Sequence, residues 1–531
     1  LGPYVGHGIK SGHRNILIGS GENSTSSTGS LLTSGADNVM IGHLSGSKIV
    51  TGNYNVLLGS SSGKNLNNDA SDNIMIGREA GQESTQNDNN IYIGNGAGKF
   101  GNVDNIISIG TEAGYTNTSG QNNINLGYQS GYSGTQNSKN INIGYRAGYN
   151  SSYNDATSNA SKNIALGYQA GFANTTGGEN IYIGYDSGYR TSGSITGGQN
   201  ILIGPETGAT LTSANRNIFM GNKSGKATST GSKNLFLGNY SGFKNIGGAK
   251  NIFLGSAHSD EQGVGWQNTS GGQNVFIGYN TGLANTTAND NIFIGSDSGK
   301  SNIDAEENIY IGKNAGTSGT TGKQNINIGT DTGKNNQTGD KNITIGYKAG
   351  GTLQGTDKDN SILIGTEAGL KSNQNDLIFI GKEAGHENTT AANNIFIGTQ
   401  AGKANTTGPN NIYLGSLSGS SNQNTNGNNT IIGSNTLQTG TGSENCCIFG
   451  SQAGKSLTGS NNIYFGKSSG ENATSGNNNI VIGAEAGKNN QNSKNIFIGN
   501  ETGKENTSGY NNIYSGHQAG KSSTTATDNI Y

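Results

Sequence analysis

A short motif returns every 16 or 17 residues along almost the whole chain. Between residues 274 and 350 it reads NVFIGYNTG, NIFIGSDSG, NIYIGKNAG, NINIGTDTG and NITIGYKAG, and each first glycine follows the previous one by 17 residues. A period this short, with one β-rich pentapeptide in each repeat, is typical of a solenoid that adds one coil per repeat. We therefore expect residues 1–531 to form one continuous repeat array rather than several globular domains.

The first glycine of the motif, here called the motif glycine, occurs 29 times between Gly19 and Gly516. Of the 28 intervals, 21 are 16 or 17 residues long, and the longest, of 23 residues, end at Gly42, Gly167 and Gly278. The consensus N-I-x-I-G-x-x-A-G-x-x-N-T-T-G-x-N joins a strand to a small-residue corner and a polar turn, without helical spacing. The sequence predicts an all-β fold, a parallel β-solenoid (β-roll) of about 29 coils with a 17-residue period.

The strand of the motif is apolar on both faces. Residues one and three positions before the motif glycine are mostly Ile, Leu, Val or Met, and we expect them to line the inside of the coil. The residue between them points the other way, because successive side chains alternate across a strand. We expect this outer stripe to pack on other copies around a closed symmetry axis, since so long an exposed apolar stripe is not tolerated by a monomer. It is aromatic in 14 of 29 repeats, at Tyr92, Tyr182, Phe219, Phe236, Phe253, Phe276, Phe293, Tyr310, Phe379, Phe396, Tyr413, Tyr464, Phe497 and Tyr514.

Polar residues interrupt the aromatic stripe in two short runs. Ser108, Asn125 and Asn142 stand in three successive repeats, and Asn327 and Thr344 stand in two more. At an interface between copies these residues would form polar layers that set the register, as single polar residues do in coiled coils. A trapped ion is the alternative interpretation.

Charge, hydropathy and cysteine content narrow the range of partners. A formal net charge of −2 gives no steering field for nucleic acid, and we expect no nucleic-acid partner. No apolar run approaches the roughly 18 residues that a spanning helix needs, so we expect no membrane insertion.

The adjacent Cys446 and Cys447 exclude a disulfide framework and are expected to act as small hydrophobes in the core. Because the chain stops inside a motif at Tyr531, we expect a segment of a longer fibrous protein.

The sequence contains no recognisable catalytic or metal-binding arrangement. The six histidines are scattered without ligand spacing, and no glycine-rich segment matches a phosphate-binding loop, so we expect neither an enzyme nor a cofactor. Acidic residues recur two positions after the motif glycine, as at Glu79 and Glu383, and are interpreted as a solvated face. Asn-x-Ser/Thr sequons at the polar turn could be glycosylated in a secretory host, or could simply be turn formers, at Asn117, Asn174, Asn388 and Asn405.

The N-I-x-I-G-x-x-A/S-G repeat resembles the head repeats of trimeric autotransporter adhesins and similar repeats in phage and viral tail fibres. The resemblance covers nearly all of the chain. It implies a left-handed parallel β-roll with three chains to a head. Together with the aromatic stripe it implies a homotrimer, although two chains or a laterally packed filament would also bury the stripe.

Three functions are weighed on these observations. The first is a structural or attachment protein, the rigid shaft of an extracellular, cell-surface or virion-surface fibre. The second is a solenoid that binds glycan, ice or a crystal surface through an exposed stripe, although ice binding would favour regular T-x-T strands. The third, a polysaccharide-degrading β-helix, would need a cluster of charged residues that the repeat does not show. Host glycan or protein contacts are expected at the inserted loops and at the tyrosines after the corner, Tyr115, Tyr132, Tyr149 and Tyr189.

Overall fold

The computed structural model describes residues 2–85, 88–150, 160–190, 192–256, 262–351, 359–423 and 426–531. Contacts between Cα atoms divide the chain into two compact units, Leu1–Gln273 and Asn274–Tyr531, called unit 1 and unit 2. Within the described ranges every regular element is a β-strand and no residue is helical.

Unit 1 consists of a parallel sheet and one small hairpin. The hairpin pairs β2 with β3 antiparallel, and in the sheet each remaining strand pairs in parallel with the next one along the chain. The strands are β1 (Ile16–Ile18), β2 (Gly21–Asn23), β3 (Ser26–Ser27), β4 (Val39–Ile41), β5 (Val56–Leu58), β6 (Ile74–Ile76), β7 (Ile91–Ile93), β8 (Ile107–Ile109), β9 (Ile124–Leu126), β10 (Ile141–Ile143), β11 (Ile164–Leu166), β12 (Ile181–Ile183), β13 (Ile201–Ile203), β14 (Ile218–Met220), β15 (Leu235–Leu237) and β16 (Ile252–Leu254).

Unit 2 is a parallel sheet in which every strand pairs with the next one along the chain. Its strands are β17 (Val275–Ile277), β18 (Ile292–Ile294), β19 (Ile309–Ile311), β20 (Ile326–Ile328), β21 (Ile343–Ile345), β22 (Ile362–Ile364), β23 (Ile378–Ile380), β24 (Ile395–Ile397), β25 (Ile412–Leu414), β26 (Thr430–Ile432), β27 (Cys447–Phe449), β28 (Ile463–Phe465), β29 (Ile480–Ile482), β30 (Ile496–Ile498) and β31 (Ile513–Ser515).

Each repeat forms one coil, and the backbone of a coil bonds to the coils before and after it. In β18 the N–H of Ile292 donates to Asn308 O at 2.8 Å, and the N–H of Gly295 donates to Ile277 O at 2.8 Å. The turns bond in the same way, for example from Ser301 N–H to Thr317 O at 3.1 Å. Equivalent residues therefore stack one above another, and the predicted all-β parallel solenoid with a period of about 17 residues is confirmed.

The predicted orientation of the strands is wrong. In every coil strand from β4 to β31 the middle residue is buried, while its two neighbours are partly or largely exposed. The middle residue lines the interior of the coil, and the Ile, Leu and Val residues on either side point outward. All 14 aromatic residues assigned to an interface between copies are therefore core residues, each at most 2% exposed: Tyr92, Tyr182, Phe219, Phe236, Phe253, Phe276, Phe293, Tyr310, Phe379, Phe396, Tyr413, Tyr464, Phe497 and Tyr514.

The width of the coil explains why the aromatic face is inside. The ring of Phe293 lies directly over Gly299, where an added Cβ would come within 2.5 Å of the ring. Gly299 has a φ of +55°, a left-handed conformation that glycine adopts without penalty. The interior thus accommodates one large side chain per coil, and the rings of Phe276, Phe293 and Tyr310 stack at centroid distances of 4.9 and 4.8 Å.

A buried asparagine ladder runs beside the aromatic column. The residue just before most strands is a buried Asn whose amide bonds to both neighbouring coils. The N–H of Asn308 donates to Asn291 Oδ1 at 3.0 Å, and its Nδ2 donates to Gly322 O at 2.9 Å. Its Oδ1 accepts the N–H of Asn325 at 2.9 Å. The ladder satisfies backbone groups that would otherwise be buried without partners. From the sequence, the asparagine position was predicted only as the start of the strand.

The ladder is interrupted at Cys446, which occupies an asparagine position. Its N–H still donates to Asn429 Oδ1 at 2.9 Å, but its Sγ lies 3.6 Å from Gly459 O and supplies no amide. Burial raises the pKa of this thiol to about 11, so it stays protonated at neutral pH. The expectation that both cysteines fill core positions holds for Cys446 alone, because Cys447 points outward and is half-buried.

Restoring the ladder at this point is expected to stabilise the chain. Cys446→Asn would give Gly459 O an amide donor and the next coil an amide acceptor, for a gain of about 0.5–1.5 kcal/mol in the free energy of unfolding. Amide hydrogen exchange of the flanking coils measures the gain, and Cys447→Asn, on the outer face, is the matched control. Faster exchange in Cys446→Asn than in the control would contradict the role given to the ladder.

Candidate functional site

The outward-facing residues of the strands form a continuous aliphatic surface in each unit. We call this surface the ribbon; the first residue of each coil strand forms its leading column and the third residue its trailing column. In unit 1 every residue of both columns is Ile, Leu, Val or Met. In unit 2 the only polar residues in the columns are Thr430 and Ser515. Neither column contains a charged residue in either unit.

The ribbon is accessible in the single chain. Its more exposed members leave about two-fifths of their surface open to solvent, for example Ile218 at 38%, Leu414 at 41% and Ile498 at 42%. Because the strands are stacked in register, these side chains lie in straight rows with a spacing of about 4.8 Å between coils. Apart from Thr430 and Ser515, the side chains of this surface have no hydroxyl, amide or charged group with which to bind water.

The exposed apolar area of the ribbon is comparable to the area that one partner buries in a protein–protein interface. At roughly 40 Å² of exposed apolar surface per side chain, the columns of unit 2 alone present about 1,200 Å². The largest apolar patch of a typical monomer is about 300–600 Å², and a stable interface buries about 800 Å² per partner. The ribbon therefore has the apolar character and the approximate area of an interface.

The polar layers predicted at an interface lie in the core instead. Asn125 Nδ2 donates to Ser108 Oγ at 3.2 Å, and Asn142 Nδ2 donates to Asn125 Oδ1 at 2.9 Å. Thr344 Oγ1 donates to Asn327 Oδ1 at 2.5 Å. These residues bond to one another along the interior column of one chain, and among them Asn327 Nδ2 is buried without a hydrogen-bond partner. The described residues contain no group of three or more His, Cys, Asp or Glu side chains, and the ion alternative for the Ser, Asn and Thr layers stays a prediction.

Two ladders of partly exposed aromatic rings run along unit 1. Tyr115, Tyr132 and Tyr149, proposed from the sequence as contact residues, stack at 5.0 Å with interplanar angles of 3° and 8°. Phe172 and Tyr189 continue this ladder. The ring faces are covered by one another, so the ladder offers ring edges and hydroxyls rather than the open faces on which a sugar would stack.

A second ladder, which was not predicted from the sequence, occupies the position after the motif glycine. Its members are 38–54% exposed and stack at 5.0–5.2 Å. The guanidinium of Arg146 lies 5.3 Å from the ring centres of Tyr145 in this ladder and of Tyr149 in the first. The signal was available as the dipeptide Gly-Tyr in four successive repeats, at Tyr128, Tyr145, Tyr168 and Tyr185.

The acidic residues two positions after the motif glycine are not only solvated. Some of them accept hydrogen bonds from side chains of the neighbouring coils. Glu501 accepts hydrogen bonds from Lys504 at 2.8 Å, Lys521 at 2.6 Å and Gln518 at 2.7 Å. These bonds lower the pKa of the Glu501 carboxyl to about 2. The stability that it contributes is present above the ordinary pKa of a glutamate and is lost as the pH falls toward 2. Glu79 with Lys99 repeats the arrangement at 2.8 Å.

The four sequon asparagines are buried and cannot carry a glycan in the folded chain. They are at most 3% exposed, and three of them bond to the glycine that closes their own turn. Asn405 Nδ2, for example, donates to Gly408 O at 2.9 Å. The turn-forming interpretation is therefore the correct one for Asn117, Asn174 and Asn405.

In the part of the chain that the structure describes, no helix is long and apolar enough to cross a membrane. The homotrimer, the fibre and the surface location that were expected from the sequence stay predictions. A comparison with family models, with curated proteins and with solved structures finds no match to this chain.

Proposed function

We propose that this chain is a structural or attachment protein, the shaft of a fibre on the outside of a cell or virion. In this proposal copies of the chain associate as a homotrimer with their ribbons facing a common axis. The single observation that carries it is the ribbon: two uncharged aliphatic columns that remain exposed in the isolated chain.

A parallel sheet that is apolar on both faces is normally covered on both. The interior face is covered within the coil, and the same surface on another copy matches the ribbon in composition, spacing and length. Three copies around an axis cover the ribbon without leaving an open edge, whereas two copies or a lateral filament would cover it with a different geometry.

Charges placed in the ribbon are expected to separate the copies. In the double variant Ile311→Lys with Ile328→Lys, lysines without partners would be buried in every copy, at a cost of several kcal/mol per charge. Sedimentation equilibrium should report three chain masses for the unchanged protein and one for the variant. The matched control is Ile246→Lys with Ile303→Lys, because these isoleucines are 52% and 42% exposed but lie in turns outside the ribbon.

A monomeric unchanged protein would contradict the proposal. In that case the ribbon would be open toward a different surface, and the second function, adsorption to a glycan, ice or crystal surface, would become the better one. Equal loss of mass in both double variants would show that added charge, rather than the ribbon, controls association.

A further inference from the structure

The first aromatic ladder, which begins at Tyr115, ends at a single small residue. Its members occupy the fifth position after the motif glycine, and Tyr189 is the last of them. The next coil has Ala209 at this position, because Ile181 pairs with Ile201 and both ladder positions lie eight residues further on. A methyl group is too small to cover a phenol ring. The side of the Tyr189 ring that faces the next coil is therefore not covered by a ladder residue.

Ala209 also takes the place of a lysine that pairs with a carboxylate elsewhere in the chain. Glu79, two positions after its motif glycine, pairs with Lys99 in the ladder position of the next coil at 2.8 Å. Asp186 stands at the same position as Glu79, but the next coil offers it Ala209. Burial and the neighbouring Glu206 carboxylate raise the pKa of Asp186, and its Oδ1 is buried without a hydrogen-bond partner. The hydrogen bonding of this carboxylate is therefore incomplete.

The uncovered ring and the incompletely bonded carboxylate line the same cavity in unit 1. The cavity has a volume of about 450 Å³, and Tyr189, Asp186 and Ala209 all lie on its wall. Pockets that bind small molecules typically have volumes of about 300–1,000 Å³. The remaining charged groups on the wall are Arg190, Glu206 and Lys226.

The charges on the wall of the cavity balance. Lys226 Nζ pairs with a carboxylate oxygen of Glu206 at 2.5 Å. Arg190 donates from Nε to Ser192 O, and its Nη1 donates to Thr210 O at 2.9 Å. These bonds fix the guanidinium at the cavity, while its Nη2 has no acceptor within the described ranges. Two carboxylates and two cations together give no net charge with which to attract a simple anion or cation.

A neutral sugar matches this combination of groups. The C–H groups on one face of a pyranose ring pack on the electron-rich face of an aromatic ring such as Tyr189. Each sugar hydroxyl both donates and accepts hydrogen bonds, so neighbouring hydroxyls can donate to Asp186 and accept from Arg190. Rotation of the Asp186 carboxylate exchanges its two oxygens, so a ligand in the cavity can complete its hydrogen bonding.

We infer that the cavity at Ala209 binds a hexopyranose residue at the end of a glycan, with the sugar ring packed on Tyr189 and its hydroxyls bonded to Asp186 and Arg190. The inference rests on the attachment role in the proposed function, for which it names the class of partner. All residues of the site belong to one chain, so binding does not require that copies associate through the ribbon.

Filling the cavity with a side chain that the repeat already uses tests the inference. In Ala209→Lys the new lysine would pair with Asp186 and cover Tyr189, as the arrangement of Glu79 with Lys99 shows. Saturation-transfer NMR measures binding, with methyl β-D-galactopyranoside, methyl β-D-glucopyranoside and methyl α-D-mannopyranoside as probes. The unchanged chain should bind at least one of them with a Kd of about 1 mM. Ala209→Lys should weaken this binding at least about tenfold.

The matched control is Thr317→Lys. It places a lysine at the same position of a coil in unit 2, where Thr317 Oγ1 donates to Asp297 O at 3.0 Å, and it leaves the cavity unchanged. A second pair of variants separates the ring from the hydroxyl of Tyr189. Tyr189→Phe keeps the ring and should bind nearly as well as the unchanged chain, whereas Tyr189→Leu should lose about as much binding as Ala209→Lys. Circular dichroism checks that each variant folds.

The outcomes separate this inference from the proposed fibre. If the unchanged chain binds none of the three probes, or if Ala209→Lys binds as well as the unchanged chain, the inference is overturned and the fibre shaft stands. Equal loss in Ala209→Lys and Thr317→Lys would overturn it too, because added charge rather than the cavity would then control binding. A chain that is monomeric in sedimentation and loses sugar binding only in Ala209→Lys would support the inference and overturn the homotrimer.

Discussion

Replacing Phe293 with alanine is expected to open the coils around it, with a loss of about 3–5 kcal/mol in their stability. The ring is fully buried and stacks on Phe276 and Tyr310 at 4.9 and 4.8 Å. Its removal leaves a cavity that the neighbouring backbone cannot fill, because the coils are held at a fixed spacing by their hydrogen bonds. If these aromatic residues lay at an interface, the same substitution would instead separate the copies and leave the coil intact.

Amide hydrogen exchange is the appropriate measurement, since a solenoid opens locally rather than as a single unit. Peptides from residues 274–330 should exchange faster in Phe293→Ala, while peptides many coils away should not change. The matched control is the adjacent Ile294→Ala on the ribbon, which is expected to cost about 1 kcal/mol in the separated chain. A larger effect at Ile294 than at Phe293 would restore the orientation expected from the sequence.

The position of the coils could be predicted from the sequence, but their orientation could not be predicted from hydrophobicity. Every one of the 29 motif glycines directly follows a strand, because the motif carries both the strand residues and the glycine that ends it. Alternation divides the strand into two faces without saying which is inside, and here both faces are apolar. The cue that distinguishes them is Gly299 and its equivalents, whose missing side chains make room for the ring.

The asparagine ladder and the stacking of the tyrosines could not be predicted for a different reason. Each depends on contacts between residues about 17 positions apart, as between Asn308 and Asn325 or Tyr115 and Tyr132. A single repeat shows only a polar residue before a strand, or a tyrosine in a turn. Each ladder forms only when the coils stack, because stacking places identical side chains of successive coils in contact with one another.

The buried residues of the coil are expected to determine its stability, and the exposed residues of the ribbon are expected to determine the association of copies. The interior contains the aromatic rings, the polar layers at Asn125 and Asn327 and the asparagine ladder, which stack or bond from coil to coil within one chain. Ribbon residues contribute less to the isolated coil than interior residues, because they keep up to about half of their surface exposed. Substitutions in the two sets should therefore give different readouts: faster local opening for the interior and lower mass for the ribbon.

The motif glycines stabilise the stack in a way that no other residue can reproduce. Gly221 has a φ of +130°, a conformation that residues with a side chain rarely adopt, and an added Cβ would lie 2.6 Å from the carbonyl oxygen of Gly238 in the next coil. The unfavourable φ and the close contact of the added Cβ cannot be relieved separately. A change of φ would turn the chain away from the coil on which it stacks. We expect Gly221→Ala to cost at least about 3 kcal/mol and to open the coils on both sides.

Gly247→Ala in the same unit is the control for this prediction. A Cβ at Gly247 would meet only Thr230 Oγ1, at 3.5 Å, and its backbone does not require a positive φ. Alanine there should leave the stability unchanged or raise it by about 0.4–1 kcal/mol, because it restricts the unfolded chain. Hydrogen exchange of the flanking coils compares the two variants directly. Equal tolerance of alanine at both positions would mean that the coils can separate at the motif glycine without losing their register, and the close stacking on which the ribbon depends would not hold.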